Sequence, residues 1–77
     1  MSAETVRYIR VLAFDGRNLT FFDNMRPTRT ETLPLARNYH GVAKQLRQWR
    51  LCRAIIRDDI IAHLAPTATR MPPIYEP

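Results

Sequence analysis

The stretch that decides the fold prediction is residues 34–66, PLARNYHGVAKQLRQWRLCRAIIRDDIIAHLAP, which runs from one proline to another and contains a single glycine. Its apolar residues recur at intervals of three and four, the spacing of one side of an α-helix. At about 100° per residue they fall within an arc of roughly 120°. The sequence therefore predicts one long amphipathic helix whose apolar stripe is Val42, Leu46, Trp49, Cys52, Ile56, Ile60 and Leu64.

Signals at the two ends of this stretch set the expected limits of the helix. Asn38 is a suitable N-cap, because its short polar side chain accepts a hydrogen bond from the first turn. Pro66 ends the helix, because proline cannot continue it. The pair Asp58-Asp59 leaves one alternative open, in which it caps a second, short helix and the long element is kinked there.

The residues before this stretch predict β-structure. Residues 6–14, VRYIRVLAF, are rich in β-branched and aromatic side chains, and residues 19–23, LTFFD, form a second such run. The four residues between them contain Asp15-Gly16, a dipeptide that supplies the positive φ angles of a hairpin turn. A short third strand is predicted over residues 29–33, which Pro34 would end.

These elements combine into an expected α+β domain over residues 1–66, in which the hairpin, with or without the third strand, packs on the long helix. Residues 67–77 contain several prolines and predict an extended C-terminal tail. No apolar run is long enough for a signal peptide or a membrane span, which predicts a cytoplasmic protein that does not bind membranes.

Length and cysteine content restrict how such a domain gains stability. A chain of 77 residues buries a small core, and Cys52 is its only cysteine. An intrachain disulfide is therefore excluded, and one cysteine with two histidines is too few for a usual zinc site. Apolar side chains on both faces of the hairpin and on two flanks of the helix favour self-association, so a homo-oligomer, most simply a dimer, is predicted.

The charge pattern suggests which further partners the protein would meet. The net charge is +5, and 11 of the 12 basic residues are arginines, which pair with carboxylates and phosphates. An acidic protein surface or nucleic acid is therefore the expected partner, although a solvated basic face and a codon bias toward arginine account for the same composition. The candidate binding residues are Lys44, Arg47, Arg50, Arg53 and Arg57 on the helix, with Arg7 and Arg10 on the hairpin.

The hairpin also interleaves arginines with aromatic residues, as on sheets that bind single-stranded nucleic acid. In so small a protein the aromatics are more simply explained as core. The aromatic residues concerned are Tyr8, Phe14, Phe21 and Phe22.

No catalytic motif accompanies these features. The chain contains no glycine-rich phosphate loop and no nucleophile elbow, and neither a metal ion nor another cofactor is expected. A helical Asp59–His63 pair is more simply a surface hydrogen bond than a site. The sequence therefore predicts a protein that is not an enzyme and has no small-molecule substrate. It is expected to be a small regulatory or inhibitory protein that binds an acidic surface of a larger partner, of the kind that phages and mobile elements encode, with nucleic-acid binding through the helix as the alternative.

Overall fold

The computed structural model describes residues 4–48 and 51–67. Five strands form one antiparallel sheet in the order β3-β2-β1-β4-β5. The only α-helix in the described part of the chain lies between β3 and β4 and follows a 3-10 turn at Arg37–Tyr39. The elements are β1 Thr5–Phe14, β2 Asn18–Asp23, β3 Arg26–Pro34, α1 His40–Leu46, β4 Cys52–Arg57 and β5 Ile60–Pro66.

The predicted α+β fold with one long helix is wrong. Helical structure ends at Leu46, and the residues from Cys52 onward form the β4–β5 hairpin. Asp58 and Asp59 reverse the chain with φ angles of 51° and 64°, so they cap no second helix. Runs of isoleucine on both sides of this turn favour strands, because branched side chains pack well on a pleated surface.

The Asp58-Asp59 turn leads to a stability prediction. Both residues have the positive φ of a type I′ turn, for which Asp-Gly is a preferred pair. We expect Asp59→Gly to stabilise the protein by about 0.5–1 kcal/mol, because glycine adopts this conformation without steric cost. Gly16→Ala is the opposite control: at φ 100° alanine is strained, so this variant should unfold at lower urea concentration than the wild type. Equal midpoints for Asp59→Gly and the wild type would contradict the prediction.

The N-terminal hairpin forms where the sequence places it. β1 and β2 pair antiparallel, and the Asp15 carboxylate accepts hydrogen bonds from the backbone N–H groups of Asn18 and Arg17 at 2.7 and 2.9 Å. These bonds lower the pKa of Asp15. The third strand, β3, is present and longer than predicted, and it lies at the edge of the sheet.

β1 is shared between two neighbours, and this gives the sheet its shape. Its second half pairs with β2 and its first half with β4, the two regions meeting at Ile9. The chain after β3 returns through α1 to place β4 beside β1, which is a Greek-key connection. The two edges of the sheet approach each other where Leu35 pairs in parallel with Ile61, and Ala36 N–H donates to the Ile61 carbonyl at 2.9 Å. The result is a curled, partly open barrel.

The core lies inside this barrel, with α1 covering part of it. α1 contributes Ala43 and Leu46, both fully buried. Tyr39 joins the helical segment to β5, because its hydroxyl lies 3.0 Å from Nδ1 of His63. The buried apolar residues are Ile9, Val11, Leu19, Phe21, Leu35, Ala43, Leu46, Leu51, Cys52, Ala54, Ile61 and Leu64. Within the described ranges, no helix has the length and apolarity needed to cross a membrane.

Candidate functional site

The basic residues predicted to share one helical face do not share it. Lys44 lies on α1 and Arg47 just after it, both exposed, whereas Arg53 and Arg57 lie on β4. Arg50 falls outside the described residues. A continuous basic stripe on a helix is therefore wrong, because the helix ends before the arginines that would have extended it.

Arg7, the first of the hairpin candidates, is used within the fold. Its Nε donates to Asp23 at 2.8 Å, and both terminal nitrogens donate to the Glu31 carboxylate. The guanidinium also lies over the Phe21 ring, 5.5 Å from its centroid. Hydrogen bonding to Glu31 raises the pKa of Arg7, and the same contact lowers the pKa of Glu31. Arg7 therefore ties β1 to β2 and β3 at one end of the barrel.

Arg57 is also partly engaged, in an ion pair with Glu4 in which both side chains are about half exposed. An exposed ion pair of this kind contributes little to the free energy of unfolding. Of the seven candidate binding residues, Arg10 and Arg53 remain on the sheet without an ion pair among the described residues. The Nε of Arg10 donates a hydrogen bond to Oδ1 of Asn24 at 3.5 Å.

Arg10 and Arg53 share the outer face of the sheet with two aromatic residues. Ile9 and Val11 point into the core, so Tyr8 and Arg10 point outward. Arg10 lies directly opposite Phe22 on β2, and Tyr8 lies directly opposite Arg53 on β4. Aromatic and cationic side chains thus alternate across three neighbouring strands. We call Tyr8, Arg10, Phe22 and Arg53 the outer-face cluster.

The surroundings of the outer-face cluster are apolar on one side and hydroxyl-bearing on the other. Val6 is 48% exposed and lies opposite Ile55 beside Tyr8. Beyond Phe22, the hydroxyl oxygens of Thr20 and Thr32 lie 3.2 Å apart. The cluster therefore belongs to an open surface that includes exposed apolar area, and Tyr8 itself is 44% exposed.

Other reactive groups do not assemble into a site within the described residues. No group of three or more potential metal ligands occurs there. Cys52 is buried, and burial raises the pKa of its thiol to about 11, which keeps it protonated. The predicted Asp59–His63 pair is wrong, because Asp59 lies in the β4–β5 turn and His63 bonds to Tyr39.

The arginines and aromatic residues of the hairpin drew attention in the sequence, but the sequence did not show which of the aromatic residues face outward. The four aromatic residues of the hairpin were assigned to the core, and the structure divides them. Phe21 is fully buried and Phe14 packs against the core, while Tyr8 and Phe22 lie on the outer face. Strand alternation separates Phe22 from Phe21. The position of Arg53 depends instead on the pairing of β4 with β1, which the local sequence does not encode.

Comparison of the chain with protein-family models, curated proteins and solved structures finds no match. The class of fold follows from the connectivity alone: a five-stranded, partly open Greek-key barrel with a helix between the third and fourth strands. This is the strand arrangement of the OB-fold. The connectivity establishes the fold but not the function, which must be argued from the side chains on its surface.

Proposed function

We propose that this protein is a non-catalytic binder of single-stranded nucleic acid and that it uses the outer-face cluster. Tyr8 and Phe22 would stack on bases, and Arg10 and Arg53 would neutralise the adjoining phosphates. The observation that carries the proposal is the alternation of two aromatic rings with two arginines on one open face. A buried, protonated Cys52 is compatible with a reducing compartment such as the cytoplasm.

Exposure of the aromatic residues supports this proposal. A domain of this size has little apolar area with which to build its core. Tyr8 nevertheless leaves 44% of its surface in solvent, and Phe22 is partly exposed. Each base stacked on an aromatic side chain contributes about 1–3 kcal/mol to binding. Two such rings on one face would provide stacking surfaces for two bases.

The geometry favours single strands over duplexes. Tyr8 and Phe22 occupy diagonal positions on adjacent strands, where side chains are about 7–8 Å apart. Two neighbouring bases of an extended strand can span such a distance, and stacking on a protein ring requires bases free of a duplex. Arg10, opposite Phe22, and Arg53, opposite Tyr8, provide the positive charge that a phosphate backbone requires.

An acidic protein surface, the other partner class expected from the sequence, would meet the same two arginines. Alternation with aromatic rings favours nucleic acid, because carboxylates pair with arginine without a neighbouring ring. The regulatory or inhibitory role expected from the sequence is compatible with either partner. Binding measurements on defined oligonucleotides separate the two.

We expect labelled single-stranded oligonucleotides to bind in fluorescence anisotropy titrations, more tightly at 50 than at 200 mM salt (roughly the range over which phosphate contacts weaken). Tyr8→Ala and Phe22→Ala should each weaken binding by about 5- to 100-fold. Arg10→Ala and Arg53→Ala should each reduce the salt slope by about 0.7 on a single strand.

Lys44→Ala and Arg47→Ala are the matched controls. Each removes one positive charge from exposed positions on or beside α1 and should leave the affinity nearly unchanged. The proposal fails if no single strand binds at the lower salt concentration. It fails equally if the control variants weaken binding as much as the outer-face variants do, since binding would then depend on net charge alone.

A further inference from the structure

A charged recess lies at one end of the barrel, where β1 begins, β2 ends and β3 begins. Its volume is about 490 Å³, which is within the range of small-ligand sites. Side chains from all three strands meet there because the strands pair antiparallel. The charged residues that line the recess are Arg7, Asp23, Arg26, Arg29 and Glu31.

The two carboxylates of the recess are already bonded within the fold. Asp23 accepts hydrogen bonds from Nε of Arg7 and from the backbone N–H of Met25, both at 2.8 Å and each to a different oxygen. Both oxygens of Glu31 accept from the terminal nitrogens of Arg7. Every carboxylate oxygen of the recess therefore has a donor, and none of these donors is on the remaining two arginines.

Arg26 and Arg29 line the recess without a partner in the described part of the chain. Neither forms an ion pair or a side-chain hydrogen bond with another described residue. Both are exposed, and Arg29 is close enough to Glu31 to help lower the pKa of that carboxyl group. With Arg7 set against Asp23 and Glu31, the charged side chains of the recess carry one excess positive charge.

A bulge in β3 brings these two arginines to the same recess. Arg26 and Arg29 lie three positions apart, so strict alternation would place them on opposite faces of the strand. β2 pairs with Arg26 and next with Thr30, which leaves residues 27–29 without partners on that strand. Bulges of this kind redirect side chains and occur often beside functional sites. The shift lets both arginines line one recess.

We propose that the recess binds one phosphate monoester group, held between Arg26 and Arg29. A phosphate monoester carries nearly two negative charges at neutral pH and has three terminal oxygens. Two arginines match that charge and that number of acceptors, whereas one arginine fork is enough for a carboxylate. Asp23 and Glu31 repel further negative charge, so the recess favours a single phosphate over a polyphosphate.

The inner side of the recess is closed, which favours the end of a ligand over a continuous chain. The Arg7 guanidinium lies over the ring of Phe21, and Phe21 is fully buried. A phosphodiester within a chain would therefore have to leave the recess on the side by which it entered. A terminal phosphate needs no such exit.

Two sources supply a terminal phosphate: the end of a single strand, and a free small phosphate ester. Arg7 lies on the opposite face of β1 from Tyr8, so the recess and the outer-face cluster are on different sides of the sheet. The recess site is therefore independent of the nucleic-acid proposal.

Titration of the isotope-labelled full chain with phenyl phosphate, followed by NMR, tests the recess site. Chloride at about 150 mM screens weak surface contacts during the titration. The side-chain Nε–H signals of Arg26 and Arg29 should shift and saturate. Benzoate is the matched ligand, since it has the same ring and a single charge, and it should bind at least about tenfold more weakly.

Arg26→Gln and Arg29→Gln should each raise the dissociation constant for phenyl phosphate at least about tenfold, because each removes one charge-assisted contact. Arg17→Gln is the matched control. It makes the same charge change at an exposed position in the β1–β2 turn, at the other end of these strands, and should bind as the wild type does. Circular dichroism verifies that each variant is folded.

Two oligonucleotides of one sequence, with and without a terminal phosphate, distinguish the two sources. At least about tenfold tighter binding of the phosphorylated strand, lost in Arg29→Gln, identifies a strand end as the ligand. Saturation by phenyl phosphate without any difference between the two strands identifies a free ester. The strand without the terminal phosphate should bind Arg29→Gln and the wild type alike, because only the outer-face cluster would hold it.

Three results would overturn the proposal. Phenyl phosphate could produce no saturable shifts at the recess, or benzoate could bind as tightly as phenyl phosphate. Arg17→Gln could also weaken binding as much as Arg29→Gln does, which would show that the net charge of the protein, and not the recess, attracts the phosphate.

Discussion

Phe21→Ala is expected to leave most of the protein unfolded at room temperature. The side chain of Phe21 is fully buried, and truncating a buried phenylalanine to alanine costs about 3–5 kcal/mol. The core of a domain this small rarely supplies more than about 3–5 kcal/mol of net stability. The ring also lies beneath the guanidinium of Arg7, so its loss weakens the ion pairs that close the barrel end.

Urea denaturation followed by circular dichroism measures this effect, and Phe22→Ala is the matched control. Phe22 is the next residue and points to the opposite face, where it is partly exposed. Phe22→Ala should keep the fold and weaken nucleic-acid binding, whereas Phe21→Ala should lose the fold. Equal unfolding midpoints for the two variants would show that the assignment of the two rings to opposite faces is incorrect.

Arg7→Gln is expected to destabilise the protein by about 2–3 kcal/mol, because hydrogen bonds to charged groups are the stronger ones and this change leaves two carboxylates without their cation. Asp23 and Glu31 both accept hydrogen bonds from Arg7, and all three side chains are largely shielded from water. Arg57→Gln is the control. It breaks the half-exposed pair with Glu4 and should cost less than about 1 kcal/mol.

The same network predicts how stability depends on pH. Hydrogen bonding to Arg7 lowers the pKa of Glu31 below its ordinary value of 4.5. A carboxylate with a lowered folded-state pKa stabilises the protein above its unfolded-state pKa, and this contribution is lost as the pH falls through the folded-state value. Wild-type urea midpoints should therefore fall below about pH 4.5. In Arg7→Gln this acid dependence should be weaker, and an unchanged dependence would exclude the Arg7–Glu31 contact as its cause.

The N-terminal half of the fold could be predicted because its signals are local. The alternation of residues 6–14 and the Asp15-Gly16 turn act over a few residues, and they define β1, β2 and the turn between them. Strict alternation along residues 6–14 would place Phe14 on the same face as Tyr8, but a bulge shifts the register between Val11 and Ala13. Phe14 therefore faces the core, and Ala13 is exposed.

The C-terminal half could not be predicted because its spacing fits two structures. Cys52 and Ile56 lie four positions apart, which suits a helix but, being an even number, also suits one face of a strand. In β5 the same spacing does not hold, because a register shift leaves Ile60 exposed and buries Leu64. The deciding feature was the Asp58-Asp59 turn, whose positive φ angles break the element. Two acidic residues form such turns less often than Asn-Gly or Asp-Gly, so the signal was weak.

Only part of the candidate site could be predicted from the sequence. Arg7 and Arg10 lie on opposite faces, as alternation requires, but their different roles depend on distant residues. Arg7 meets Asp23 and Glu31, which belong to other strands, and Arg53 reaches Tyr8 only because β4 crosses to β1. Contacts between strands that are far apart along the chain leave no recognisable pattern in the local sequence.

The sharing of β1 between β2 and β4 has a consequence for the order of folding. The β1–β2–β3 meander and the β4–β5 hairpin each close short loops, and such contacts form quickly. They join only when residues 52–56 reach residues 5–9, which closes the longest loop in the sheet and costs the most chain entropy. We infer that this docking is the late step, so the two halves would exchange amide hydrogens as separate opening units, with Ile9 at the boundary between them.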